Sequence, residues 1–135
     1  MLLEQAPIQS TGFRNYGPVD AREGFEIRIR TPNYRGFRIS LLDGVDVAVD
    51  GERFGYENNL FALNGQTFSL EELRAASDVR WELGDPATII VPRPGGLEPG
   101  IHQVYVGCRV RYPYFPPKLQ PHTMPWNRLL TIVLP

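Results

Sequence analysis

The 135-residue chain contains one cysteine, one lysine and two histidines, and each scarcity removes a class of chemistry. A single thiol, Cys108, forms no intramolecular disulfide and builds no zinc site alone. His102 and His122 would both have to join a carboxylate set such as Asp43, Asp46 and Asp50 to hold a metal, and no known metal-ligand spacing is present. Charge of one sign is also missing. Fourteen basic residues face 15 acidic ones, for a net charge of -1, so no field exists to hold a polyanion and nucleic acid is not an expected partner. No apolar run approaches the roughly 20 residues of a membrane helix. The first ten residues carry Glu4 and no continuous apolar stretch, so they do not read as a secretory signal and the expected compartment is the cytoplasm. Lys118 stands against 13 arginines, a bias that reflects the source genome rather than function.

Glycine and proline are abundant instead, 13 of each, and they punctuate short segments with period-two alternation. Residues 25–30 place Phe25, Ile27 and Ile29 on one face and Glu26, Arg28 and Arg30 on the other. Residues 45–50 alternate likewise and end in Asp50-Gly51, which accepts the positive φ angles of a tight hairpin. Asn64-Gly65 gives a second hairpin signal between residues 59–63 and 66–70. Ser69 and Glu72 form a capping box for one short helix near 70–76, and two turns are the most that it supports. Residues 79–83 and 87–91 are further strands. The longest is 101–112, where Val104, Val106, Cys108 and Val110 share a face opposite Gln103, Tyr105, Arg109 and Arg111. Residues 129–134 are apolar on both faces apart from Thr131, which predicts a strand covered on two sides. The expected fold is therefore a single all-β domain over 1–135, an antiparallel β-sandwich with a jelly-roll-like barrel as alternative.

Motifs for catalysis are wanting. There is no Gly-x-Ser-x-Gly elbow, and Pro94-Gly95-Gly96-Leu97-Glu98-Pro99-Gly100 lacks the strand-loop-helix context of a phosphate site and reads as an inter-strand connection. Cys108, among valines, reads as a small buried hydrophobe. Two aromatic, proline-rich loops remain: residues 31–38, and a stretch at about 112–127 with five prolines, expected to be irregular because proline cannot sit in a central strand. Such loops either pack over their own domain or form a contact surface, and their prolines lower the entropy lost on docking. The expected contact or active-site-rim residues are Tyr34, Arg35, Tyr112, Tyr114, Phe115, His122 and Trp126. No catalytic, cofactor-binding or metal-binding residue is assigned to this chain.

The strings Gly12-Phe13-Arg14-Asn15, Gly24-Phe25-Glu26-Ile27-Arg28-Ile29-Arg30, Pro32-Asn33-Tyr34-Arg35-Gly36, Val45-Asp46-Val47-Ala48-Val49-Asp50-Gly51-Glu52, Asp78-Val79-Arg80-Trp81, Gly84-Asp85-Pro86-Ala87-Thr88 and Gly95-Gly96-Leu97-Glu98-Pro99-Gly100 occur in this order. In them, from about residue 12 to 115, the chain resembles the small β subunit of bacterial C-glycoside deglycosidases. The resemblance implies a non-catalytic β-sandwich subunit of a heteromeric carbon–carbon lyase. Its partner would be a TIM-barrel α subunit that carries the catalytic residues and a divalent metal, expected to be manganese. The implied substrate is a 3-oxo-C-glucoside with a flavonoid-type aglycone: the ketone acidifies the C2 proton, a Lewis-acidic metal stabilises the enolate, and the aglycone leaves C1. The alternative is a stand-alone β-sandwich that binds carbohydrate on aromatic side chains or serves as an adaptor.

Overall fold

The computed structural model describes residues 4–32, 35–112 and 116–135. Eleven strands and one α-helix are found among them: β1 (Arg14–Tyr16), β2 (Gly24–Ile29), β3 (Phe37–Arg38), β4 (Leu42–Val49), β5 (Glu52–Phe54), β6 (Leu60–Leu63), β7 (Gln66–Phe68), α1 (Leu70–Ala75), β8 (Arg80–Trp81), β9 (Ala87–Pro92), β10 (Gly100–Val110) and β11 (His122–Ile132). A five-stranded sheet has the order β1-β2-β9-β6-β7, a four-stranded sheet the order β11-β10-β4-β5, and β3 pairs with β8 apart. Every ladder is antiparallel. Both sheets are open, so the fold is a sandwich and not the barrel alternative.

Alternation decides which side chains fill the space between the sheets. Phe25, Ile27 and Ile29 of β2, Ile89 and Val91 of β9, and Val104, Val106, Cys108 and Val110 of β10 are all buried. Phe25 reaches Phe54 of the other sheet at 5.2 Å between ring centroids. Trp81 is fully buried against Phe37 and Phe61, and its indole N–H donates to the Asp85 carbonyl at 2.8 Å. Both hairpin signals fold as expected: Asp50 and Gly51 have φ of 51° and 87°, Asn64 and Gly65 of 49° and 82°. Ser69 caps α1 in the predicted capping box with Glu72, and the helix buries Leu73 and lies beside β4.

Three expectations change. β11 begins at His122, so the stretch expected as irregular loop to about residue 127 is strand from there on, and Pro125 and Trp126 lie within it. Proline is accommodated because β11 is an edge strand whose outer row of backbone groups pairs with nothing in the sheet. The closing segment is covered on one face only: Leu130 and Ile132 are buried, whereas Leu129 is 63% exposed. Sequence alternation also starts β4 at Val45, but the strand begins at Leu42. It carries an irregularity opposite Cys108 and Val110, with Gly44 at φ 104° where the phase slips.

The 4–10 segment closes one flank. Ile8 bridges Ile29, and Arg128 of β11 contacts both the Ile8 carbonyl, at 2.7 Å, and Glu4, at 2.8 Å. Among the described residues no helix is long and apolar enough to cross a membrane.

Candidate functional site

β2 and β10 start at the same end of the sandwich, where Phe13 lies 6.2 Å from Phe25 and 6.1 Å from His102 between ring centroids. β10 runs the length of its sheet from Gly100 to Val110, and Tyr112 follows at its far end. There the Tyr112 N–H donates to Gln120 Oε1 at 2.8 Å, and the Gln120 amide returns a hydrogen bond to the Tyr112 carbonyl. The Tyr112 hydroxyl donates to Met124 Sδ at 3.1 Å, and its ring lies 6.4 Å from that of His122. Trp126, opposite Val106 in the ladder, is half-buried against the core. Of the expected contact residues, the structure thus gathers Tyr112 and His122 into one cluster. Trp126 lies farther along the same face of β11, and Arg35 is exposed on the loop that precedes β3. Tyr34, Tyr114 and Phe115 lie outside the described residues.

A second feature lies on the outer face of the four-stranded sheet. Register places Arg53, Ala48 and Tyr105 in one row across β5, β4 and β10, with Asp46 opposite Gly107 in the next. Small residues, Ala48 and Gly107, thus alternate with long ones, which leaves a recess of about 470 Å³ walled by Asp46, Arg53, Tyr105 and Arg109. Gly107 admits the Tyr105 side chain: a Cβ there would meet the Tyr105 hydroxyl at 2.6 Å. The Tyr56 ring packs on Gly44 in the same way, and a Cβ on Gly44 would lie 2.8 Å from it. The Arg109 guanidinium stacks over Tyr56 at 3.9 Å and donates Nε–H to Asp46 Oδ2 at 2.9 Å. Asp46 Oδ1 accepts the Tyr56 N–H at 3.0 Å. Arg109 is therefore fixed by an aromatic face and a carboxylate that is itself anchored.

The remaining candidates are structural. His102 is buried, with Nδ1 2.6 Å from Asp50 Oδ2 and Nε2 2.7 Å from the Glu98 carbonyl, so it ties the β4–β5 turn to the connection before β10. The Gln103 N–H and then His102 hold the Asp50 carboxyl below its usual range. Burial, assisted by Asp46, pushes the Cys108 thiol up, which keeps it protonated and unreactive. Asn15 clamps the 93–99 connection through Leu97, donating to its carbonyl at 2.9 Å and accepting its N–H at 2.8 Å. Among the described residues no three of His, Cys, Asp and Glu come together as a metal site.

Sequence reasoning named Tyr105 and Arg109 only as an outward face and did not single out Arg53 or Tyr56. Counting back from the Asp50-Gly51 turn puts Arg53 opposite Ala48. Nothing local shows that β10 lies beside β4.

The sequence model of the family "C-glycoside deglycosidase beta subunit" matches residues 3–114. The chain belongs to that family. A C-glycoside deglycosidase beta subunit of Eubacterium cellulosolvens is 31% identical over 119 residues, 87% of this chain and 81% of the relative. A 3'-dehydrocarminate deglycosidase beta subunit of a Microbacterium species is 33% identical over 101 residues, 75% and 76% of the two chains. An Arthrobacter globiformis C-glycoside deglycosidase beta subunit is 31% identical over 70 residues, 52% and 53%. The recess lies wholly inside the span matched by the beta-subunit family, whereas His122, Trp126 and all of β11 lie beyond it.

Proposed function

We propose that this chain is the non-catalytic subunit of a heteromeric lyase that removes the sugar from a 3-oxo-C-glucoside. Membership of a family named for beta subunits carries the reading, because a beta subunit works in a complex with a partner. The Microbacterium relative, named for a 3'-dehydro compound, supports a substrate oxidised at the 3-position of the sugar. In such a substrate the ketone acidifies the proton at C2. A base on the large subunit removes that proton, a C1–C2 double bond forms, and the C1–aglycone bond breaks with its electron pair on the aglycone, which then takes up a proton. The large subunit is proposed to be a TIM-barrel protein that holds the catalytic residues and a divalent metal, manganese. The described residues here do not form a site for that metal, and no step is assigned to one on this chain. A flavonoid-type aglycone and a cytoplasmic location complete the proposal.

The part left to this chain is to bind the large subunit and to shape the approach to its active site. Residues proposed at that rim are Tyr34, Arg35, Tyr112, Tyr114, Phe115, His122 and Trp126. Co-expression with a candidate large subunit, gel filtration, and an assay of aglycone release from a 3-oxo-C-glucoside with manganese test the proposal. The expected result is activity in the co-eluting complex and in neither chain alone. A chain that stays monomeric beside the large subunit and is retained on a polysaccharide resin would instead establish the carbohydrate-binding module.

A further inference from the structure

We infer that the recess on the outer face of the four-stranded sheet receives a carboxylate-bearing side chain of the partner subunit. The inference rests on the subunit reading and adds the surface and the chemistry of contact. Two guanidinium groups and one carboxylate wall the recess, for a net charge of +1. Both Asp46 oxygens are already engaged, by the Tyr56 N–H and by Arg109 Nε, so Asp46 has little left to offer an incoming group. Arg109 uses only Nε and keeps its remaining N–H donors free among the described residues. Arg53 is exposed and makes no side-chain hydrogen bond or ion pair there, and neither does the Tyr105 hydroxyl. The unengaged groups of the recess are mainly donors, and a planar carboxylate is the group that a guanidinium fork matches. Because Tyr56 and Asp46 hold Arg109 before anything arrives, docking would cost little additional ordering of that side chain.

The surroundings favour a protein over a small anion. Gln103 faces Leu129 and Ile101 faces Thr131 in the β10–β11 ladder, so the outward side chains run from the recess into an apolar flank. Ile101 is 71% and Leu129 63% exposed. A free carboxylate ligand would use the recess and leave that flank in water, whereas a protein surface covers both. A charged anchor beside apolar contact is common interface anatomy.

The test titrates the purified chain onto the immobilised large subunit at low and high salt, with melting curves to confirm that each variant is folded. Arg53→Glu and Leu129→Asp are each expected to weaken binding by about tenfold or more, and Arg53→Lys, which keeps the charge and loses the fork, to weaken it less than Arg53→Glu does. Thr67→Lys, on the outer face of the five-stranded sheet, should change nothing. Wild-type affinity should itself fall as salt rises, a readout that needs no variant. If the wild type binds and Arg53→Glu and Leu129→Asp bind within about twofold of it, or if Thr67→Lys is the change that disrupts binding, the inference is overturned and the subunit reading stands. Self-association of the chain, abolished by Arg53→Glu, would assign the face to a second copy and overturn it too. Failure of the wild type to bind the large subunit would bring down the subunit reading itself.

Discussion

At the carboxyl end of β10, Tyr112 is held by Gln120 and Met124, eight and twelve residues further on. In the recess, by contrast, Asp46 and Arg109 meet across 63 residues of chain, on a floor set by two ladders. A loop surface declares itself in composition, since proline and aromatic side chains cluster along the chain. A face built from strands does not, because its members become neighbours only when the sheet assembles. On the proposed reading the rim would supply reach and shape, and the recess a fixed charge pattern. A subunit that docks firmly and also borders a partner's active site has use for both.

The largest effect is expected where both regions depend on one group. Trp81→Ala, in the fully buried cluster with Phe37 and Phe61, should lower stability by about 3–5 kcal/mol in chemical denaturation and lose rim and recess together. Removing the Tyr114 and Phe115 side chains by a double alanine substitution sharpens the division of labour. Turnover of the complex should fall more than subunit affinity does, and unchanged turnover and affinity would remove the rim from the account. Ser69→Ala, which takes away the cap of α1, should cost about 1 kcal/mol in a thermal melt without altering binding at either region. Within the recess, a double-mutant cycle of Asp46→Asn and Arg109→Gln should give a coupling of about 0.5–1 kcal/mol, as suits a half-exposed pair.

The smallest effect is a pH dependence on the 4–10 flank. The Ser10 hydroxyl, the Ser10 N–H and then Arg128 hold the Glu4 carboxyl down to about 2, against an ordinary 4.5. A depressed carboxyl contributes stability that is present above its unfolded value and lost as pH falls through the folded one. Melting temperature should therefore drop between about pH 5 and pH 2, and drop less steeply in Glu4→Gln. Asp50 and Glu72 are lowered in the same direction and add to the same limb.

Much of the fold was legible locally. Period-two alternation located β2 and β10, two turn dipeptides with positive φ located the hairpins, and Ser69 with Glu72 located α1. β11 was misjudged at its start because five prolines in residues 113–125 argue against a central strand, and only the sheet order shows that the strand is an edge. The start of β4 was missed because the phase slips at Gly44, so Leu42 and Val45 face inward three residues apart. Family membership was legible from seven ordered strings. Arg53 was not legible as a site residue: nothing along the chain distinguishes it from Arg14 or Arg80, which have ion-pair partners in Glu26 and Glu82.

Side-chain oxidation footprinting of the chain, free and bound to the large subunit, tests the central claim most directly, because it reads which face is covered. Tyr105, Leu129 and Ile101 are expected to lose reactivity in the complex, while Val19 and Leu83, exposed elsewhere on the surface, keep theirs. Full reactivity of Tyr105 and Leu129 in an active complex would contradict the account and place the partner on another face.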